Sequence, residues 1–263
     1  MADTDTVRGA GLPDRAPALD GSGGPARPAE PEKVMTLVDH LTELRTRIVR
    51  SILAVLVGTV IGFVAAEPLQ HFLTAPLPAS ALPLQTLGPG DAVAITLRIA
   101  VAVGIIVAMP VLLYQLWAFV APGLTPSERR ALRPWIPLAL FFFVLGVTIA
   151  YVILPFAIGF LLGFTNDIIV AHLAAPAYFD FVTTMFLAFG LLLEFPIVIY
   201  GLARIGILSS ARLRASRRMV ILGIAIFAAV ATPGGDLVSP TILGGTMYIL
   251  FELTLVAIRR SGR

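Results

Sequence analysis

Residues 51–66, SILAVLVGTVIGFVAA, carry no charged side chain, and runs of this kind recur along the rest of the chain. A helix needs about 20 apolar residues to cross a bilayer. In that solvent every backbone N–H and C=O has to be paired within the protein, so only helices or closed barrels span it. The runs are continuous and long, not alternating, which selects helices. This one feature confines the chain to an all-α polytopic membrane protein. Composition agrees: 13% of the 263 residues are charged and the mean hydropathy is +0.91, against about 25% charged residues in soluble domains.

Six spans are predicted, near 48–66, 92–119, 134–156, 180–203, 219–231 and 241–258. Residues 1–33 are rich in Pro, Gly and Ala without an apolar face, and read as a disordered tail. They lack the apolar core of a secretory signal peptide. Residues 34–263 read as one membrane domain. Val34, Leu37, Val38, Leu41, Leu44 and Ile48 fall at helical spacing, so an amphipathic segment runs straight into span 1 as one long helix. Pro110 predicts a kink in span 2. Spans 5 and 6 look short: a run of about 13 residues reaches about 20 Å of a core about 30 Å thick. The turn TPGGD joins them. The loop 67–91 holds five prolines among apolar residues, and is expected to cap the helix ends.

The charges set the orientation. Of the 19 basic residues, 18 fall in the N-terminal segment through Arg50, in the links between spans 2 and 3 and between spans 4 and 5, or after span 6. These segments share one side of the membrane. The exception, Arg98, lies near the opposite end of span 2, where it can snorkel. The loops on that opposite side carry Glu67, Asp91, Asp167, Asp180 and Asp236 and no Lys or Arg. The positive-inside rule then places both termini in the cytoplasm. The pI of about 9.7 is therefore a topology signal, and no aromatic–basic pattern points to nucleic acid.

Catalysis finds little support. There is no Cys, which removes disulfides and thiolate metal sites, and the three histidines stand outside any HExxH pattern. No GxSxG elbow is present. No metal or cofactor is expected.

Three carboxylates stand out. Glu43 and Glu128 lie among the arginines of the basic side. Each has a local explanation: Glu43 and Arg47 are an i,i+4 pair, and Thr125-Pro126-Ser127-Glu128 reads as a capping box. Each also has a binding explanation, since exposed carboxylates hold guanidinium groups well. Glu194 lies inside span 4, two residues before Pro196. Pro196 removes the bond to the Leu192 carbonyl and opens the helix there. An ionisable residue in a span faces protein or water and marks function by default. The plainer reading is a neutral Glu bonded to a neighbouring helix. Glu252 in span 6 lies closer to the basic side, within reach of Arg259 or water. An ion-coupled solute carrier using Glu194 is the alternative function, although no inverted repeat supports it.

The stretches HLTELRTR (40–47), TAPLP (74–78), YQLWAFVAPGLTPSERR (114–130), FLAFGLLLEFPIV (186–198) and TPGGD followed by MYILFE resemble TatC. This is the multi-spanning subunit of the twin-arginine protein translocase. The resemblance covers 34–263 in order. It implies a concave six-helix scaffold and a receptor for the twin-arginine signal peptides of folded precursors. Export would run across the bacterial cytoplasmic (inner) membrane on the proton-motive force, with no enzyme activity. It puts the signal-peptide site on Glu43 and Glu128, with Arg45, Arg129 and Arg130 beside them. It points Glu194 into the concavity and makes Asp236 part of the last outer turn; with Pro196, Glu194 is then expected to form an intramembrane polar notch that contacts a partner's span. The partners implied are TatA- and TatB-type single-span subunits, further TatC copies and the lipid bilayer. Two positions depart from a common family pattern: Leu237 follows Asp236 where Pro is frequent, and Pro240 replaces a frequent Gln.

Overall fold

The computed structural model of the protein describes residues 37–78, 83–165, 173–232 and 236–260. The tail at 1–33 and the centre of the TPGGD turn lie outside the described residues. The described residues form ten α-helices, in order: α1 (Leu37–Val64), α2 (Ala66–Thr74), α3 (Asp91–Val120), α4 (Pro126–Leu132), α5 (Trp135–Leu162), α6 (Ala175–Leu192), α7 (Phe195–Arg204), α8 (Ser210–Ala215), α9 (Arg217–Ala231) and α10 (Val238–Arg260). Among the described residues the β pairing is a single bridge, Gln85 with Ala174. Among the described residues five stretches are long and apolar enough to cross a membrane: α1, α3, α5, α6 with α7, and α10. The fold is an all-α, multi-pass membrane protein.

Side-chain pairs at both ends fix the alternation of direction. At the arginine-bearing end His40 stacks on Phe119 at 4.4 Å and Trp135 on Tyr200 at 4.1 Å. At the opposite end Phe72 stacks on Tyr151 at 4.6 Å. The sequence therefore threads back and forth, and its basic links gather on one side.

Helix α1 packs most extensively against α3. The contact is so close that only glycine fits. A Cβ on Gly58 would lie 2.5 Å from the Gly104 carbonyl oxygen, and one on Gly62 would lie 2.7 Å from that of Ala100. A Cβ on Gly104 would meet Thr59 Oγ1 at 2.5 Å and its backbone N at 2.6 Å. Small residues four apart let backbones approach, and in lipid this packing replaces the hydrophobic drive that acts in water. The rest of α1 faces outward: Ile52, Leu56, Val60 and Phe63 are exposed, as suits contact with acyl chains. The same device joins α5 to α6, where Gly146 abuts the Phe189 backbone and Gly190 abuts the Phe143 ring.

The core forms around α6, with Val182, Met185 and Phe189 buried against Ile153, Leu154 and Ala157 of α5 and Leu243, Met247 and Phe251 of α10. Span 4 is broken as Pro196 predicts: α6 ends at Leu192, α7 begins at Phe195, and Leu193 and Glu194 lie between. Helix α3 continues through Pro110.

The loop after α1 contains more order than its prolines suggest. Nine of its residues form α2, and Leu73 and Leu77 enter the core. Gln85 N donates to the Leu173 carbonyl at 3.0 Å, and Ala175 N donates to the Gln85 carbonyl at 2.7 Å. The Tyr178 hydroxyl donates to the Leu73 carbonyl at 2.6 Å. These bonds lash the loop to the start of α6 and cover the helix ends.

The last two helices differ from expectation in one respect. Helix α9 has 15 residues, about 22 Å at helical rise, and is short. Helix α10 has 23, about 34 Å, so the expectation of a short sixth helix is corrected. The uncharged run understated it, because α10 also includes Val238–Pro240 and ends on Arg259 and Arg260.

Candidate functional site

The arginine-bearing end is built from the N-terminal turns of α1, the C-terminal turns of α3, and α4. Glu43 follows the amphipathic stripe of α1, and the i,i+4 spacing delivers Arg47 to it: Arg47 Nη2 donates to Glu43 Oε1 at 2.9 Å. The other amino group, Arg47 Nη1, donates to Gln115 Oε1 on α3 at 3.0 Å. Gln115 is buried. One guanidinium thus ties the Glu43 carboxylate to a fixed point on the neighbouring helix. Among the described residues Glu43 Oε2 is buried and accepts no hydrogen bond. A buried carboxylate oxygen with open acceptor capacity is costly unless a donor arrives.

After α3 the chain makes one 3₁₀ turn at Ala121–Gly123 and enters α4. Thr125 caps α4: Glu128 N donates to Thr125 Oγ1 at 3.4 Å, and Thr125 N donates to Glu128 Oε2 at 2.9 Å. Thr125 Oγ1 also donates to Glu128 Oε2, at 2.8 Å. Pro126 occupies the first helical position, where its missing N–H has no partner to lose. The capping box is formed, and it aims one side of the Glu128 carboxylate back at the loop. Arg129 lies 5.5 Å over the Trp117 ring, a cation–π contact. Arg45 and Arg130 are exposed. Glu43 and Glu128 therefore occupy the same end of the molecule, Glu43 on α1 and Glu128 on α4, which follows on the end of α3.

Glu194 lies elsewhere. Its backbone bridges the break in span 4: Glu194 N donates to the Leu191 carbonyl at 3.2 Å, and its own carbonyl accepts from Ile197 N and Val198 N at 3.0 and 3.1 Å. Its Oε1 is buried with no hydrogen-bond partner among the described residues. Pro196 is buried. Asp236 is buried too, and its Oδ1 accepts from Ser239 N at 2.6 Å. Asp236 thus caps α10 by its side chain, as Asp does well. Pro240 falls within the first turn of that helix.

Three partners escaped the sequence. Gln115 was unremarkable within its motif, and what marks it is a polar residue inside an apolar run. Arg98 gains a partner that the snorkelling expectation did not name: its Nη1 pairs with Asp180 Oδ1 of α6 at 2.8 Å. Glu252 pairs with Arg217 of α9 and not with Arg259. Arg259 is seven residues on, about 10 Å along the same helix, whereas α9 runs beside α10 and presents Arg217 at the level of Glu252. Among the described residues no group of His, Asp and Glu is arranged to hold a metal.

A family model, that of the Sec-independent protein translocase protein (TatC), matches residues 39–245. The chain belongs to the TatC family. It is 35% identical over 225 residues to the TatC of Carboxydothermus hydrogenoformans, covering 85% of this chain and 93% of that one. It is 37% identical over 236 residues to the TatC of Desulforapulum autotrophicum, covering 88% and 87%. A crystal structure described as the twin arginine translocase receptor TatC superposes with a TM-score of 0.74 at 34% identity, covering 85% of this chain and 100% of that one. The solute-carrier alternative built on Glu194 gives way to this assignment. Within the TatC framework Glu43, Arg45, Glu128, Arg129 and Arg130 fall in the two motifs of the arginine-bearing end. Glu194 and Asp236 fall in two separate places, the break in span 4 and the start of α10.

Proposed function

We propose that this TatC-family chain is the receptor for twin-arginine signal peptides and a core subunit of a translocase that exports folded proteins. The observation that carries the reading is the Glu43 carboxylate. Arg47 and Gln115 hold one oxygen in place, and the other is buried without a donor among the described residues. A guanidinium from outside supplies the missing donors, and a second engages Glu128 on α4. Each such contact contributes about 1.5–3 kcal/mol. Arg45, Arg129 and Arg130 line the same end and favour a peptide whose remaining charge is low.

Family names and the placement of arginines support the wider reading. The chain works in a bacterial cytoplasmic membrane with both termini in the cytoplasm, as the basic links imply. Residues 34–263 form the membrane domain, with α9 completing the sixth crossing. It is not an enzyme, and the proton-motive force drives transport. TatA- and TatB-type single-span proteins and further TatC copies are its partners. Glu194 and Pro196 form a polar notch for a partner's span, and cysteine crosslinks from position 194 that reach only lipid or this same chain would remove that role.

The decisive experiment measures binding of a twin-arginine signal peptide and its twin-lysine counterpart to membranes holding the wild-type chain or Glu43→Ala. Wild type is expected to prefer the arginine peptide strongly, and Glu43→Ala to lose that preference. An unchanged preference refutes the site.

A further inference from the structure

The arginine-bearing ends of α5, α7 and α10 enclose a groove that peptide recognition leaves without a role. It has a volume of about 370 Å³ and is walled by Trp135, Leu138 and Phe142 of α5, Tyr200 of α7, and Leu253 and Ala257 of α10. The walls are mainly apolar. Along α10 they run from Leu250 to Ala257, about 10 Å of helix axis. At the arginine end the Trp135 and Tyr200 rings stack at 4.1 Å. Such rings sit well where acyl chains give way to headgroups.

The rim at that end is basic. Arg133 directly precedes Pro134 of the groove wall. Arg260 lies three residues beyond Ala257 and so shares its face. Both are exposed. Helix α5 starts here without a side-chain cap and without an acid in its first turn. The positive end of its dipole adds to the positive potential of the rim. Among the described residues no acid lines the groove.

We propose that this groove binds an anionic phospholipid. One acyl chain lies between α5 and α10, and the phosphate is held by Arg133 and Arg260 at the start of α5. Guanidinium suits phosphate through paired hydrogen bonds. A partner's transmembrane helix is a poorer occupant, because a seat of about 10 Å supports only a third of a span about 30 Å long.

Trp117 and Trp135 are the chain's two tryptophans, which gives a direct test. The full chain carrying Trp117→Phe is reconstituted into phosphatidylcholine vesicles containing brominated phosphatidylglycerol or brominated phosphatidylcholine, and Trp135 quenching is followed. Brominated phosphatidylglycerol is expected to quench at about fivefold lower mole fraction for each guanidinium engaged. The preference should shrink with added salt and vanish in Arg133→Gln/Arg260→Gln. Equal quenching by the two lipids overturns the proposal, as does a preference that survives the double substitution. Little quenching by either lipid means that protein, a second copy or a single-span partner, covers the groove, and that also overturns it. If the double variant does not fold, the lipid comparison and its salt dependence decide the matter alone.

Discussion

Replacing Gly58 by Ala tests what holds the first helix to the body. The added Cβ would lie 2.5 Å from the Gly104 carbonyl oxygen, whereas ordinary contact begins near 3.4 Å. The obstruction is backbone, so no rotamer change relieves it. Helices α1 and α3 must part locally by about 1 Å, and a gap of that size forfeits a quarter to a half of each dispersion contact it spans. Helix α1 has little else to hold it, since only 11% of its most apolar stretch is buried within the chain. Overpacking of this kind costs about 1–3 kcal/mol, or roughly 2–12 °C of Tm at about 2–4 °C per kcal/mol. The assay is thermal unfolding of the detergent-solubilised chain by fluorescence-detected size exclusion. Gly245→Ala is the control, because nothing lies within 4 Å of its added Cβ. It should be neutral or slightly stabilising, as Ala is the better helix former. The two variants melting at the same temperature would refute the claim that close glycine packing secures α1.

Three further substitutions probe single contacts. Glu128→Gln keeps the acceptor that closes the capping box and should leave Tm unchanged while weakening twin-arginine peptide binding. Glu128→Ala should lose both, and equal peptide binding by Gln and Glu variants would make the residue purely a cap. Asp236→Asn retains the acceptor for Ser239 N and should be mild, whereas Asp236→Ala should cost about 0.5–2 kcal/mol in the same melt. Arg98→Gln and Asp180→Asn, combined in a double-mutant cycle, should show a coupling of about 0.2–1 kcal/mol, because both side chains are near half exposed. A coupling of zero would mean that the pair contributes nothing to the α3–α6 contact.

Local chemistry was legible in the sequence, and encounters between distant elements were not. The break in span 4 follows from Pro196 alone, the cap of α4 from Thr125 and Glu128, and the Glu43–Arg47 pair from a spacing of four. Each depends on one helical turn. Gln115, the partner of Arg47, depends instead on how α1 crosses α3, and that crossing is set by Gly58, Gly62 and Gly104 together. The pairing of Arg98 with Asp180 and of Arg217 with Glu252 likewise depends on which helices become neighbours. Helix α2 was hidden because prolines at 68, 76 and 78 suggested an irregular loop, yet Pro68 falls in its first turn, where proline is tolerated. The length of α10 was hidden because its ends are polar.

The lashing of the α2 loop to α6 also implies a schedule for making the protein. Leu73 and Gln85 emerge from the ribosome about 105 and 90 residues before Tyr178 and Ala175, which bind them. Synthesis at about 5–20 residues per second leaves that segment waiting for roughly 5–20 seconds without these bonds. Span 4 therefore works as a latch that certifies the first half of the molecule. A chain ending after Leu162 should be cleaved within 66–90 by added protease under conditions that spare the full-length protein, and equal resistance would show that the segment folds unaided. A membrane protease patrolling for unfinished chains has, in that loop, a signal that disappears on completion.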